Sequence, residues 1–239
     1  MRRIDAAGLD FQALNELLRQ DSEDTEILGC LGQRFIGAGM GARKLLIHGI
    51  PGNALGAYLN GAELEVFGNA QDAVGDTMNA GTILVHGSIG DTAGYAMRGG
   101  KIYVRGSAGY RAGIHMKEYR EHVPMLIIGG KAGSFLGEYQ AGGSIVVLGL
   151  EGEGPIVSNV PCTGMHGGRL FLRSDCRDVR FPEQVTARRA EGADMAVIEA
   201  GLREYCAIFS LDYDEVTAVP FTVVTPDSKN PYRQMYVAN

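Results

Sequence analysis

The 239-residue sequence predicts an all-β chain, a right-handed parallel β-helix of about seven coils with short helices at both ends. Three observations predict it. Glycine is concentrated, with 32 of 35 glycines lying between Gly29 and Gly168. A phrase recurs every nineteen residues, for example TILVHGSIGDTAG (82–94) followed by KIYVRGSAGYRAG (101–113). Each copy opens on alternating aliphatic residues, the period-two signature of a half-buried strand.

A unit of this kind cannot bury its apolar face alone, so copies stack into a solenoid. At about 4.8 Å per stacked strand, seven coils make a rod of roughly 30 Å. Right-handed winding follows the usual rule for parallel crossovers. The chain divides into an N-terminal helical cap (1–28), the glycine β-helix (29–175) and a C-terminal helix with an extended arm (176–239).

In the cap, Asp10 starts a helix running to about Arg19, with Phe11, Leu14, Leu17 and Leu18 on one face. The copies then begin at residues 44, 63, 82, 101, 125, 144 and 169, the last one weaker. Their inward set is Leu45/Ile47, Leu64/Val66, Ile83/Val85, Ile102/Val104, Leu126/Ile128, Ile145/Val147 and Leu170/Leu172, all aliphatic. The glycines follow each strand where the chain turns tightly, and positive φ is expected there. A second ladder, Leu59, Met78, Met97, Met116 and Gln140, reads as packed interior rather than a soft-metal site.

The outward row is Leu46, Glu65, Leu84, Tyr103, Ile127, Val146 and Phe171. Outward positions on a free sheet are polar, so something covers this face: the chain's own helices, a partner protein, or both. Beside it runs the row His48, Phe67, His86, Arg105, whose histidines stand two coils apart, about 9–10 Å, too far to share one metal ion. Insertions at about 114–124 and 150–166 interrupt the repeat, and loops on one side of a solenoid often carry binding. Lys117, Glu118 and Arg120 are the charged docking candidates of the first insertion. Its His115 and His122 lack a second ligand pair at zinc spacing. Near the C-terminus, Met195, Ile198, Leu202, Tyr205, Cys206 and Phe209 fit a helix over 194–209 with Asp194 as N-cap, and VPFTVVTPDSKNPYRQMYVAN reads as a docking arm.

Several function classes are disfavoured. A net charge of −6 with dispersed basic residues fits neither nucleic-acid nor membrane binding. No apolar run reaches the roughly 18 residues of a membrane span, and the start has no apolar signal core. Cys30, Cys162, Cys176 and Cys206 are scattered, which suits reduced thiols in the cytoplasm and no iron–sulfur cluster. A phosphate loop occurs once between strand and helix, whereas this glycine phrase recurs with no helical pattern behind it. A polysaccharide-lyase-like enzyme needs acidic and basic residues converging on one face; Asp72, Asp76 and Asp91 have no basic neighbours in the pattern.

The phrases GQRFIGAGMGARKLLIHGIPGNALGAYLNG, NAQDAVGDTMNAG, GDTAGYAMRGGKIYVRG, YRAGIHMKEY and GGKAGSFLGEYQAGGSIVVLG closely resemble the glycine-repeat (GXGXG) domain of glutamate synthase, over roughly residues 1–235. That domain is the C-terminal part of the large subunit and stands alone as a separate chain in some organisms, the form this sequence resembles. The resemblance implies a right-handed β-helix that scaffolds, in the cytoplasm, a glutamine amidotransferase subunit and an FMN/iron–sulfur synthase subunit making glutamate from glutamine and 2-oxoglutarate. Association with copies of the chain itself is a further expectation, separate from the resemblance. Met1 is followed by Arg2, so an N-terminal cysteine nucleophile is not expected, and no flavin barrel is expected beside the solenoid. No catalytic, cofactor-binding or metal-ligating residue is therefore expected on this chain. One of the subunits of formylmethanofuran dehydrogenase, and one of N-methylglutamate synthase, carry a similar glycine β-helix, and these are the alternative assemblies.

Overall fold

The computed structural model describes residues 1–228. The elements are β1 (Arg2–Asp5), α1 (Phe11–Arg19), β2 (Thr25–Leu31), β3 (Lys44–Ile50), β4 (Asn60–Phe67), β5 (Ala80–Val85), β6 (Lys101–Val104), β7 (Met125–Ile128), β8 (Ala141–Val147), β9 (Gly167–Leu172), β10 (Val185–Arg189), α2 (Gly192–Ile208), α3 (Tyr213–Thr217) and β11 (Thr222–Pro226). β1 to β9 pair in parallel in chain order; β11 adds antiparallel to β9, and β10 antiparallel to β11. The result is a parallel β-solenoid of about eight turns.

The glycine phrases alone predict seven coils, and the stack is longer than they mark. β1 and β2 extend it at the N-terminal end, with Ile4 beside Ile27 and Ile27 beside Ile47. The coil of β1 turns through α1 instead of a glycine phrase, which hides it, whereas β2 leads into the glycine turn Phe35–Gly37–Gly39 and pairs Thr25 with Leu45, off the nineteen-residue grid. Asp10 caps α1 as expected, its Oδ1 accepting from the Ala13 N–H at 2.8 Å. Leu14 and Leu18 pack inward, while Phe11 and Leu17 are half-buried.

The inward stack is as the sequence predicts. Leu45, Leu64, Ile83, Ile102, Leu126, Ile145 and Leu170 pair in register and are fully buried. Period-two alternation puts these side chains on one face, and parallel register stacks like on like. Burying each contributes about 1.5–3 kcal/mol. The ladder Leu59, Met78, Met97, Met116 and Gln140 is also fully buried. Gln140 Nε2 donates to the carbonyls of Gly142, Gly143 and Arg169, which lets an amide occupy a thioether column.

The turns correct one expectation. In the phrase Gly87–Gly90–Gly94, only Gly94 has positive φ (68°). Gly90 serves close approach instead, since a Cβ there would lie 2.0 Å from Asp72 Oδ1. Positive φ is spread over a triplet of alternate residues, such as Arg111 (58°), Gly113 (71°) and His115 (55°). The Arg111 and His115 N–H groups donate to Ser134 and Glu138 on one neighbouring coil, and the Gly113 N–H to Ala93 on the other. Hydrogen bonds in both directions hold the left-handed conformation in non-glycine residues, at a cost of order 1–3 kcal/mol each. In this triplet the middle position requires glycine, because a Cβ on Gly113 would lie 2.3 Å from Ile145 Cδ1 in the core.

Helix α2 decides what covers the outward row. Ile198, Leu202, Tyr205, Cys206 and Phe209 pack on Leu84, Tyr103, Ile127, Val146 and Phe171 as a second core outside the solenoid. Val223 of β11 continues the row beside Phe171. α2 starts two residues earlier than expected, with Glu191 as N-cap. Asp194 is the third helical residue, its carboxylate accepting from the Glu191 N–H at 2.9 Å. The expected docking arm is, in its described part, strand β11; residues 229–239 lie outside the described residues.

Candidate functional site

The acidic residues of the turns do not converge. Asn53 Oδ1 accepts from the Asp72 N–H at 3.3 Å, Asp72 Oδ1 from the Asp91 N–H at 2.9 Å, and Asp91 Oδ1 from the Tyr110 N–H at 2.8 Å. Each carboxylate satisfies the backbone of the next coil. Asn69, Ser88 and Ser107 form a parallel ladder of the same kind, ending on the Lys131 N–H. Asp76 accepts from the Thr77 hydroxyl at 2.8 Å. The two ladders hold the coils in register, while Asp76 is engaged within its own turn.

The row beginning at His48 is an aromatic stack. The His48 and Phe67 ring centroids lie 4.7 Å apart and those of Phe67 and His86 5.0 Å, both nearly parallel. Phe209 closes the stack edge-on against His86 at 5.4 Å. Phe67 thus separates the histidines, as the coil spacing predicts. His48 Nε2 lies 3.1 Å from Glu26 Oε1, and His86 Nε2 lies 3.0 Å from Glu65 Oε1. The Arg3 guanidinium bonded to Glu26 holds that carboxyl below the usual carboxylate range. Leu46 is half-buried on this uncovered end of the sheet, between Glu26 and Glu65 in the ladder.

Among the described residues, no group of three or more His, Cys, Asp and Glu side chains is placed to hold a metal ion. His115 stacks on Tyr139 at 5.1 Å, and no hydrogen bond joins the His122 side chain to the described residues. All four cysteines are free and buried. Burial pushes the Cys30 thiol up to about 11 and the Cys162 thiol up to about 12, so neither is an activated nucleophile. Burial likewise pushes up the phenols of Tyr103 and Tyr205.

The insertions are shorter than they read. In the second, Val157 bridges Ala132, the Cys162 N–H donates to Leu136, and Met165 is buried, so residues from about 156 belong to the coil. In the first, Glu118 Oε2 accepts from the Gly143 N–H at 3.1 Å, making Glu118 an anchor rather than a free docking residue. Tyr119 and His122 exchange two backbone hydrogen bonds of 3.0 Å, closing a small hairpin.

That hairpin walls a cleft of about 650 Å³, lined by Tyr58, Asn60, Asn79, Arg98, Lys117, Tyr119 and His122 together with Gly39 and Ala80. Asn60, Asn79, Arg98 and Lys117 follow one another at nineteen-residue intervals. Each N–H donates to the coil below, to the carbonyls of Met40, Leu59, Met78 and Met97. Their side chains therefore form one line across four coils. The nineteen-residue grid contains this row, but a row identical in place and varied in chemistry gives no signal until the hairpin folds over it.

Among the described residues, no helix is long and apolar enough to cross a membrane. The chain is similar to an uncharacterized protein of Methanocaldococcus jannaschii, 39% identical, across 98% of this chain and 95% of the relative. The GXGXG motif family matches residues 20–216, which spans β2 to β9 of the solenoid and the helix packed on it. The repeat, its turns and this match agree: the chain belongs to the GXGXG motif family, that of the C-terminal domain of the glutamate synthase large subunit.

Proposed function

We propose that the chain is a non-catalytic structural subunit of a glutamate synthase-type complex, holding a glutamine amidotransferase subunit and an FMN/iron–sulfur synthase subunit in register. The match of the GXGXG motif family over residues 20–216 carries this reading. The chemistry of the turns supports it, because their acids, amides and hydroxyls are spent on inter-coil hydrogen bonds. A rigid rod fixed by such ladders suits a part that sets distances between other chains. Its docking elements in this reading are the two insertions, with Arg120 exposed on the first and residues 151–154 exposed on the second.

The test is affinity purification of the tagged chain from its native host. Recovery of an amidotransferase and a flavin, iron–sulfur synthase subunit is expected. Recovery of molybdenum or tungsten enzyme subunits would reassign the chain to an assembly of the formylmethanofuran dehydrogenase type. A chain that elutes alone at native expression level would end the scaffold reading.

A further inference from the structure

The hairpin-walled cleft has an unusual electrical character. Among the described residues, no hydrogen bond or ion pair engages the side chains of Tyr58, Asn60, Asn79, Arg98, Lys117 or His122, and no residue lining the cleft is acidic. Glu118, next in the chain, is occupied by the Gly143 N–H. Cations such as Arg3, Lys44, Lys101, Arg111 and Arg188 face carboxylates, and others such as Arg105 and Arg169 stand without an ion pair among the described residues; the cleft differs in setting two such cations on adjacent coils beside a wall. Arg98 and Lys117 stand one coil apart, about 4.8 Å by strand spacing. Two adjacent unpaired cations facing a concave wall focus a positive potential, and a guanidinium with an ammonium matches an oxyanion.

We propose that this cleft binds a small organic anion. Its carboxylate or phosphate group sits on Arg98 and Lys117. Its polar body lies along the amides of Asn60 and Asn79, between Tyr58 and the hairpin. The volume falls in the range of small-molecule sites, about 300–1,000 Å³. The hairpin gives the row a wall that the bare repeat lacks, which accounts for the extra residues of the first insertion. The assignment stands independently of the scaffold reading.

Isothermal titration calorimetry of the full chain at low salt, with citrate, inorganic phosphate and adenosine monophosphate as probes, tests it. At least one probe is expected to bind with one-to-one stoichiometry. Arg98→Gln and Lys117→Gln should each weaken binding by about tenfold or more, the scale of one lost charge-assisted hydrogen bond. Lys131→Gln, outside the cleft, should leave binding unchanged. Both cleft residues are exposed, so the variants should melt like the wild type. Citrate alone binding would assign a carboxylate, and phosphate or the nucleotide alone a phosphate. If no probe binds the wild type, or if the two cleft variants bind as the wild type does, the proposal is overturned. Loss of an acidic partner chain from the variants, with no probe bound, would make the cleft a protein socket and overturn it equally.

Discussion

The Tyr205 hydroxyl on α2 donates to the carbonyl of Val104 in the sixth strand at 2.9 Å, joining residues 101 positions apart in a fully buried setting. Tyr205 also meets the Tyr103 ring edge-on, with centroids 5.8 Å apart. A phenol buried against a sheet needs a hydrogen-bond acceptor. Here it finds one on the solenoid backbone, which ties the helix to one register on the sheet. The two cores, inside the coil and between coil and helix, therefore meet at β6.

The difference between covered and uncovered sheet can be tested by substitution. Ile83→Asp places a carboxylate between Leu64 and Ile102 in a fully buried column. That costs several kcal/mol, comparable to the whole stability of a domain, and the variant should not fold. Leu46→Lys changes an outward, half-buried site between Glu26 and Glu65 and should alter stability by no more than about 0.5 kcal/mol. Thermal melts followed by circular dichroism would check both. Equal melting of the two variants would contradict the inward–outward assignment.

The seat of α2 can be probed at Gly201. A Cβ there would lie 2.1 Å from Met125 Sδ and 3.3 Å from Tyr103 Oη. Gly201→Ala should be nearly neutral, because the flexible thioether swings aside and helix propensity gains about 1 kcal/mol. Gly201→Val adds branched bulk facing the sheet and should cost about 1–3 kcal/mol. Amide exchange in α2 should speed up while exchange in the inner strands stays slow. Uniform acceleration through the whole chain would show that helix and solenoid unfold as one unit.

The start of α2 carries a pH dependence with a defined sign. The Arg188 guanidinium, at 2.6 and 2.8 Å, and then the Glu191 N–H hold the Asp194 carboxyl below the usual aspartate range. A depressed folded-state pKa contributes stability that is complete above the unfolded value and is lost as pH falls through the folded one. Asp194→Ala should therefore melt lower than wild type at pH 7, by about 1 kcal/mol for a lost helix-start carboxylate. The gap should close below about pH 4. A gap that persists at pH 2 would show that packing, not the carboxylate charge, is what the substitution removes.

The solenoid, its inward columns and its family are legible in the order of the residues alone. Period-two alternation within a copy and strict nineteen-residue recurrence between copies are local properties, and stacking turns them directly into a buried column such as Leu64–Ile83–Ile102. The separation of His48 and His86 is equally legible, since coil spacing is fixed by backbone hydrogen bonds. β1 carries no such mark, because α1 replaces the glycine turn behind it; β2 is followed by the glycine turn Phe35–Gly37–Gly39 but stands off the nineteen-residue grid, Thr25 pairing with Leu45. Composition suggests one reason for all the glycines, whereas Gly90 answers to steric approach and Gly113 to φ and the core behind it.

What covers the outward row was settled in three dimensions. An apolar face records that it is covered, not by which element, and the answer lay 101 residues away at Tyr205. The same holds for the cleft. Arg98 and Lys117 are ordinary surface cations in the sequence. They become a site because one coil places them side by side, no carboxylate among the described residues pairs with them, and a hairpin held by Tyr119 and His122 folds across their row.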